Sequence, residues 1–415
     1  MLTIKLNMMQ AVALAIVVYY IGKFLRGKIK FFQTFCVPAP VIGGFLFALV
    51  HLGLKLAGIC QFEMDTTLQD PFMMVFFTAI GVGANLETLK KGGRGFVLFL
   101  IISVILVFLQ NAIGLAIAIG LKENPLMGLI CGSISMVGGH GSAGAWGPNF
   151  EQNFGYQNAT VYAMAAATFG VIMGSLIGGP IGSSLIKRHN LKPAEDRKKI
   201  ESYDEVLENL HDQENGYEHL PLTAEDFIKV LGLIFISIGL GAILQKFIYD
   251  HISIIKGTPL SLPAYVTSMI ISGVYVNTIG KKGRMAVDQR AAGICGDVGL
   301  NVFLVMALTN IDLLTLKDVA GNMLIILGAQ TLLMALFSSL ICFRVMGKNY
   351  DAAVLSGGMC GFGMGATYNA LANMDSITEK YGPSPTAYFI LPMVGAFAID
   401  IINSLWITFF SNLSF

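Results

Sequence analysis

The sequence predicts an all-α polytopic membrane protein built as two inverted repeats, each with five transmembrane helices and one re-entrant hairpin. Three observations predict it: an apolar, charge-poor composition, ten long apolar runs, and the same landmarks in the same order in both halves. Of 415 residues, 54% are hydrophobic and only 13% charged, whereas a soluble domain carries about 25% charged residues. The mean hydropathy is +0.68. A soluble chain of this length needs more polar surface to cover its core, a requirement that lipid removes. Glycine, at 47 residues, suits close helix packing and broken helices in membranes.

Taken in order, the apolar runs fall near 6–22, 35–58, 70–86, 95–121, 156–186, 227–249, 259–280, 291–311, 319–343 and 384–411. Each is long enough to cross a bilayer as a helix. The first run is expected to be a retained helix and not a signal peptide. Lys5 is its only early charge, and no small-residue cleavage pattern follows. Two further stretches, 125–150 and 351–373, are dense in glycine and small polar residues. Each is read as a hairpin that enters the membrane and returns, because irregular backbone at that depth needs protein or a cavity beside it.

Between the halves, residues 187–226 hold 17 charged residues in 40, six basic and eleven acidic. This is a solvated linker in which EDRKKIESYDEVLENL has helical character. The domains predicted are therefore a first repeat over 1–186, a cytoplasmic linker over 187–226 and a second repeat over 227–415.

The repeat rests on spacing. Val37-Pro38-Ala39-Pro40-Val41 has a counterpart in Leu262-Pro263-Ala264-Tyr265-Val266. Pro38 to Asn85 and Pro263 to Asn310 both span 47 residues. Pro38 to Gly139 spans 101 and Pro263 to Gly361 spans 98, and those glycines open GHG and GFG in the two hairpins. Five crossings per half, an odd number, give the halves opposite orientation, a pattern found in secondary transporters.

Charge placement sets the direction. With both termini outside, 21 of the 27 basic residues fall on the cytoplasmic side, and only Lys5, Lys55, Lys122, Lys246, Lys256 and Lys317 fall outside. This is the bias expected of cytoplasmic loops. The first hairpin then enters from outside and the second from the cytoplasm.

The hairpins carry the candidate chemistry. Glycine allows a turn within the membrane, half-helix N-termini attract anions, and free carbonyls attract cations. Gly139, His140, Gly141 and Ser142 in the first hairpin, and Gly361, Gly363, Thr367 and Asn369 in the second, are candidate substrate contacts. Ser133, Ser135, Asp400 and Asn403 are candidate sodium ligands, because sodium takes oxygen. The plainer reading of the glycines is tight helix packing, and that of His140 is a hydrogen-bonded structural residue. A carboxylate such as Asp400 inside an apolar segment costs about 2.5–3.5 kcal/mol on insertion scales. It therefore needs a role or a neighbouring hydrogen bond. Asp297 is expected to pair with Arg290, Asn85 and Asn310 suit helix C-caps, and Thr168 is a weak candidate.

Other classes fit less well. HExxH, GxSxG, a P-loop and a strand-borne GxGxxG are absent from the sequence, so an enzyme is not expected. An ion channel needs no inverted polar hairpins. The six cysteines form no metal or disulfide pattern, and neither a prosthetic group nor a nucleic-acid partner is indicated. The partners expected are the lipid bilayer and a small molecule.

Seven stretches give the chain a family resemblance: QDPFMMVFFTAIGVGANL (69–86), LQNAIG (109–114), NPLMGLICGSIS with GGHG (124–141), NATVYAMAAATFGVIMGSLIGGP (158–180), MGKNYDAAVL with CGFGMGAT (346–367), ANMDSITEKYGPS (372–384) and PMVGAFAIDIIN (392–403). Through them the chain resembles the bacterial glutamate:sodium symporters over most of its length outside the linker. The resemblance implies uptake of L-glutamate across the bacterial cytoplasmic membrane, with sodium ions co-transported. It also implies a homodimer and an elevator-like motion of the hairpin-bearing core against a scaffold. Another amino acid or a dicarboxylate is the alternative cargo.

Overall fold

The computed structural model describes residues 2–34, 37–84, 93–193, 221–255, 258–259, 262–281, 286–309, 314, 316–365 and 367–413. Among them the chain is almost wholly helical. Seven helices among the described residues are long and apolar enough to cross a membrane, while others expected as crossings are shorter or interrupted. Exposed apolar side chains line the helices, as Ile228, Phe235, Ile236, Ile243 and Phe247 do on one of them, which suits contact with lipid. This is an all-α multi-pass membrane protein.

The first half contains β1 (Leu2–Leu6), α1 (Met8–Lys28), α2 (Lys30–Thr34), α3 (Ala39–Leu56), β2 (Cys60–Met64), α4 (Gln69–Val82) and α5 (Gly93–Gly120). It continues through α6 (Pro125–Leu129, extended as a π-turn over Ile130–Ile134), α7 (Gly139–Asn153) and α8 (Ala159–Arg188). The second half contains α9 (Ala224–His251), β3 (Ser253–Ile255), β4 (Thr258–Pro259), α10 (Ala264–Asn277) and α11 (Gln289–Thr309). Next come α12 (Leu316–Leu336, followed by a π-segment over Phe337–Cys342), α13 (Tyr350–Gly363), α14 (Thr367–Tyr381), α15 (Pro385–Met393) and α16 (Ile399–Ser411). A π-segment over Val394–Ala398 joins the last two.

The first apolar run starts two residues later than expected. Leu2–Leu6 forms a strand that pairs in parallel with Cys60–Met64, which sets the start of α1 beside the end of α3. Asn7 then caps α1 with a capping box, accepting from Met9 and Gln10. Most of the linker, like Asn85 and Asn310, lies outside the described residues.

The helices pack as two groups. One contains α1, α3, α4, α9, α10 and α11; the other contains α5–α8 and α12–α16. Contact between the groups is sparse and runs through α7 and α8 to α11, α10 to α16, and the Val394–Ala398 segment to α4.

Within the second group, α8 organises both glycine-rich stretches. Helix α7 runs antiparallel to it: the Thr160 N–H donates to Glu151, Gly144 packs on Met164 and His140 meets Thr168. The Tyr156 hydroxyl, after α7, lies within electrostatic reach of Glu123, before α6, so the stretch begins and ends at one end of α8. From the other end, α13 also runs antiparallel to α8. A Cβ on Gly178 would lie 2.7 Å from the Gly357 carbonyl, and one on Gly170 would lie 2.6 Å from the Met364 carbonyl. Helix α14 returns alongside, and the Tyr350 hydroxyl donates to the Gly382 carbonyl, closing the base. Side chains larger than hydrogen at Gly178 would push α8 off α13, which is why this seam is built from glycine.

Candidate functional site

The two helical breaks, at 135–138 and at 364–365, meet beside the middle of α8. Gly139 has φ +56, and a Cβ there would lie 2.1 Å from the Gly365 carbonyl oxygen. Glycine alone accepts both that left-handed backbone and that approach. A new helix begins just past each break, α7 at Gly139 and α14 at Thr367. The first N–H groups of a helix lack intrahelical partners and carry the positive end of its dipole.

A cavity of about 400 Å³ opens at this junction, between the two helix groups. The group carrying the breaks contributes His140, Gly141, Ser142, Thr367, Gly395 and Asp400; the other contributes Phe76, Asp297 and Asn301. The size falls within the usual range for a small-molecule site. Among the described residues no lysine or arginine lines it, whereas two carboxylates do. The Thr367 hydroxyl donates to the Gly395 carbonyl at 3.3 Å, fixing α14 against the π-segment. Such segments recur where a helix is deformed for function.

Of the sequence-predicted substrate residues, His140, Gly141, Ser142 and Thr367 line this cavity. The His140 Nε2 lies 3.1 Å from the Thr168 hydroxyl, and its Nδ1 has no hydrogen-bond partner among the described residues. Gly139 lies at the junction itself. Gly361 packs on the Ala370 amide and Gly363 on Met334, each too close for a Cβ. Asn369 ties α14 to α8, accepting from the Ser175 hydroxyl and donating to the Val171 carbonyl at 3.1 Å. These three do not line the cavity.

The candidate sodium ligands separate likewise. Asp400 lines the cavity. Ser133 and Asn403 meet deeper, where the Asn403 amide donates to the Ser133 carbonyl at 3.3 Å. The Ser133 hydroxyl donates to Asn111 at 2.9 Å, and the Asn403 Oδ1 has no partner among the described residues. Ser135 donates to the Ala163 carbonyl at 2.9 Å.

The sodium/glutamate symporter family model matches residues 4–383. The chain belongs to the sodium/glutamate symporter family. A curated sodium/glutamate symporter of Escherichia coli (strain K12) is 41% identical over 385 residues, covering 93% of this chain and 92% of that one. That of Haemophilus influenzae is 39% identical over 395 residues, covering 95% of each. A solved sodium proton antiporter, MjNhaP1 from Methanocaldococcus jannaschii, overlaps with a TM-score of 0.41 at 14% identity, covering 98% of this chain and 97% of that one. That overlap is too loose to argue from.

Asp297 lines this family member's cavity, contrary to the pairing expected for it, as do Phe76 and Asn301, which the sequence did not single out. Asp297 does not pair with Arg290, which instead reaches Asp288 with its terminal nitrogen at 2.7 Å. Asp288 lies two residues before Arg290, just outside α11, whereas Asp297 lies two turns further along the helix, beyond the reach of a side chain held at its start. Asp297 therefore faces the cavity. Its signal in the sequence was an acid inside an apolar run, the same signal that marked Asp400.

Proposed function

We propose that this chain is a sodium-coupled symporter that takes up L-glutamate across the bacterial cytoplasmic membrane. The observation that carries the reading is the meeting of two helix N-termini, at Gly139 and Thr367, over a cavity that also holds Asp297 and Asp400. Glutamate brings two carboxylates and one ammonium group. In this reading the N-terminal amides of α7 and α14, with the Ser142 and Thr367 hydroxyls, hold carboxylate oxygens. Asp297 receives the ammonium. Asp400 binds sodium, and Ser133, Ser135 and Asn403 supply oxygens near the deeper break. The relatives named above are sodium/glutamate symporters, which favours this cargo. An aspartate at the ammonium position favours an amino acid over a dicarboxylate.

The transport cycle in this proposal alternates access by an elevator-like movement. The group of α5–α8 and α12–α16 carries the hairpin tips, and the other group serves as scaffold and dimer contact. Sparse packing between the groups and a cavity lined by both support that division. Repeats at 1–186 and 227–415 with opposite orientation, hairpins at 125–150 and 351–373, a cytoplasmic linker at 187–226, and both termini outside complete the proposal. Reaching the junction from opposite ends of α8 is what two inverted hairpins require.

Uptake of labelled glutamate by proteoliposomes tests this. Accumulation driven by an inward sodium gradient, absent with choline and resistant to excess dicarboxylate, is expected. Equal uptake in sodium and choline would overturn it.

A further inference from the structure

We infer that Gln110 and Gln330 form a sodium site at the seam of α5 and α12, against the end of α13 and apart from the glutamate cavity. Both side chains are fully buried. Both amide nitrogens are engaged: Gln110 donates to the Gly363 carbonyl at 2.7 Å, and Gln330 donates to the Gln110 carbonyl at 2.8 Å. These bonds fix the orientation of both amides. Rotating either one would set its oxygen against a carbonyl oxygen. The Gln110 Oε1 and Gln330 Oε1 are then left without a hydrogen-bond partner among the described residues.

Buried acceptors are rarely left unpaired, and less so in an apolar interior. The two side chains are joined through the Gln110 carbonyl, so one species reaching both oxygens would satisfy the pair together. The backbone around them is also rich in oxygen. Helix α13 ends at Gly363, and the last carbonyls of a helix lack intrahelical donors and carry its negative end. On the other side, Gly132 breaks the helical path of α6 with ψ −139, and a Cβ there would lie 3.0 Å from the Gln110 carbonyl. The donor nearest in sequence without a partner among the described residues, the Asn111 amide nitrogen, belongs to a side chain whose oxygen is held by Ser133 on the α6 side.

The donor set selects the ligand. Neutral amide and carbonyl oxygens repel a carboxylate. They lack the acidic groups that divalent calcium or magnesium draws on and the thiolates or imidazoles that softer metals prefer. A monovalent hard cation fits. Because Gln110 holds the carbonyl that ends α13, an ion on its oxygen would stiffen the second hairpin before glutamate arrives. This site rests on the sodium-coupled reading and adds a ligand pair to it.

Sodium titrations of glutamate binding to the full chain in nanodiscs, with choline replacing sodium, provide the test. Gln110→Met and Gln330→Met keep the chain length and remove the oxygen. Each is expected to raise the half-saturating sodium concentration at least tenfold. Glutamate affinity at saturating sodium should stay within threefold. Folded variants with unchanged sodium dependence, or with thermal stability lowered equally in sodium and choline, would overturn the site, the second result indicating a bridging water only. Should both variants misfold, Gln330→Glu decides, since its added charge is expected to lower the half-saturating sodium severalfold and an unchanged or higher value overturns the site. If the unaltered chain binds glutamate equally in sodium and choline, the symport reading itself fails, and this site with it.

Discussion

Gly139 and Gly365 touch across the junction of the two helical breaks: a Cβ on Gly139 would lie 2.1 Å from the Gly365 carbonyl oxygen. The contact makes the geometry of each tip depend on the other. It also explains why packing between α13 and α14 matters to a cavity that Gly361 does not line. A Cβ on Gly361 would lie 2.5 Å from the Ala370 amide nitrogen, so Gly361→Val should spread α13 from α14 and displace the tip. Uptake in proteoliposomes is expected to fall below a tenth while the protein still elutes as a single folded species. Retention of near-normal uptake would show that the tip tolerates displacement.

Asp400 lies in the cavity at the end of the π-segment. Losing its charge removes the only carboxylate assigned to the proposed sodium site. Asp400→Asn is expected to raise the sodium concentration for half-maximal uptake about tenfold, equivalent to about 1.4 kcal/mol. A folded variant with normal sodium dependence would leave Asp400 a structural role only.

Asp297 lines the cavity from the group that does not carry the helical breaks. As the ammonium receptor it should govern glutamate affinity and leave sodium affinity alone. Asp297→Asn is expected to raise KM for glutamate at least tenfold, with the half-saturating sodium concentration changed less than twofold. The opposite pattern would reassign it to cation binding.

Movement between the helix groups is open to cross-linking. A Cβ on Gly141 would approach the Phe76 ring to 3.1 Å, which brings α7 and α4 within reach of a short bifunctional thiol reagent. Phe76→Cys with Gly141→Cys, cross-linked, is expected to lose uptake, while the same pair left unlinked keeps a measurable rate. Undiminished uptake after complete cross-linking would exclude relative movement at this contact.

The membrane class and helical content were legible because charge scarcity and long apolar runs are properties of the sequence itself. The breaks were legible too, since glycine clusters mark where a helix stops within apolar surroundings, and both fall inside the stretches 125–150 and 351–373. What the sequence concealed was direction. Nothing local shows that Asn369 turns toward Val171 and Ser175, or that Gly361 and Gly363 serve packing between helices, since those neighbours lie far away in the chain. Asp297 was misread for a similar reason. Sequence proximity suggested Arg290, but Asp288 stands nearer and holds the guanidinium. Gln110 and Gln330 gave no signal, because a glutamine inside an apolar helix stands out only once its amide partners are known.

In the proposed site the substrate's carboxylates are held by backbone amides at the junction and not by an arginine. Calorimetry of glutamate binding at saturating sodium tests it most directly, comparing Gly139→Ala with Arg290→Gln. Alanine at a left-handed position costs about 1–2 kcal/mol, and here its Cβ also strikes the Gly365 carbonyl. Arg290 is occupied by Asp288. Gly139→Ala is expected to lose glutamate binding at least thirtyfold while Arg290→Gln stays within threefold of the unaltered chain. Intact binding in folded Gly139→Ala, with binding lost in Arg290→Gln, would contradict it.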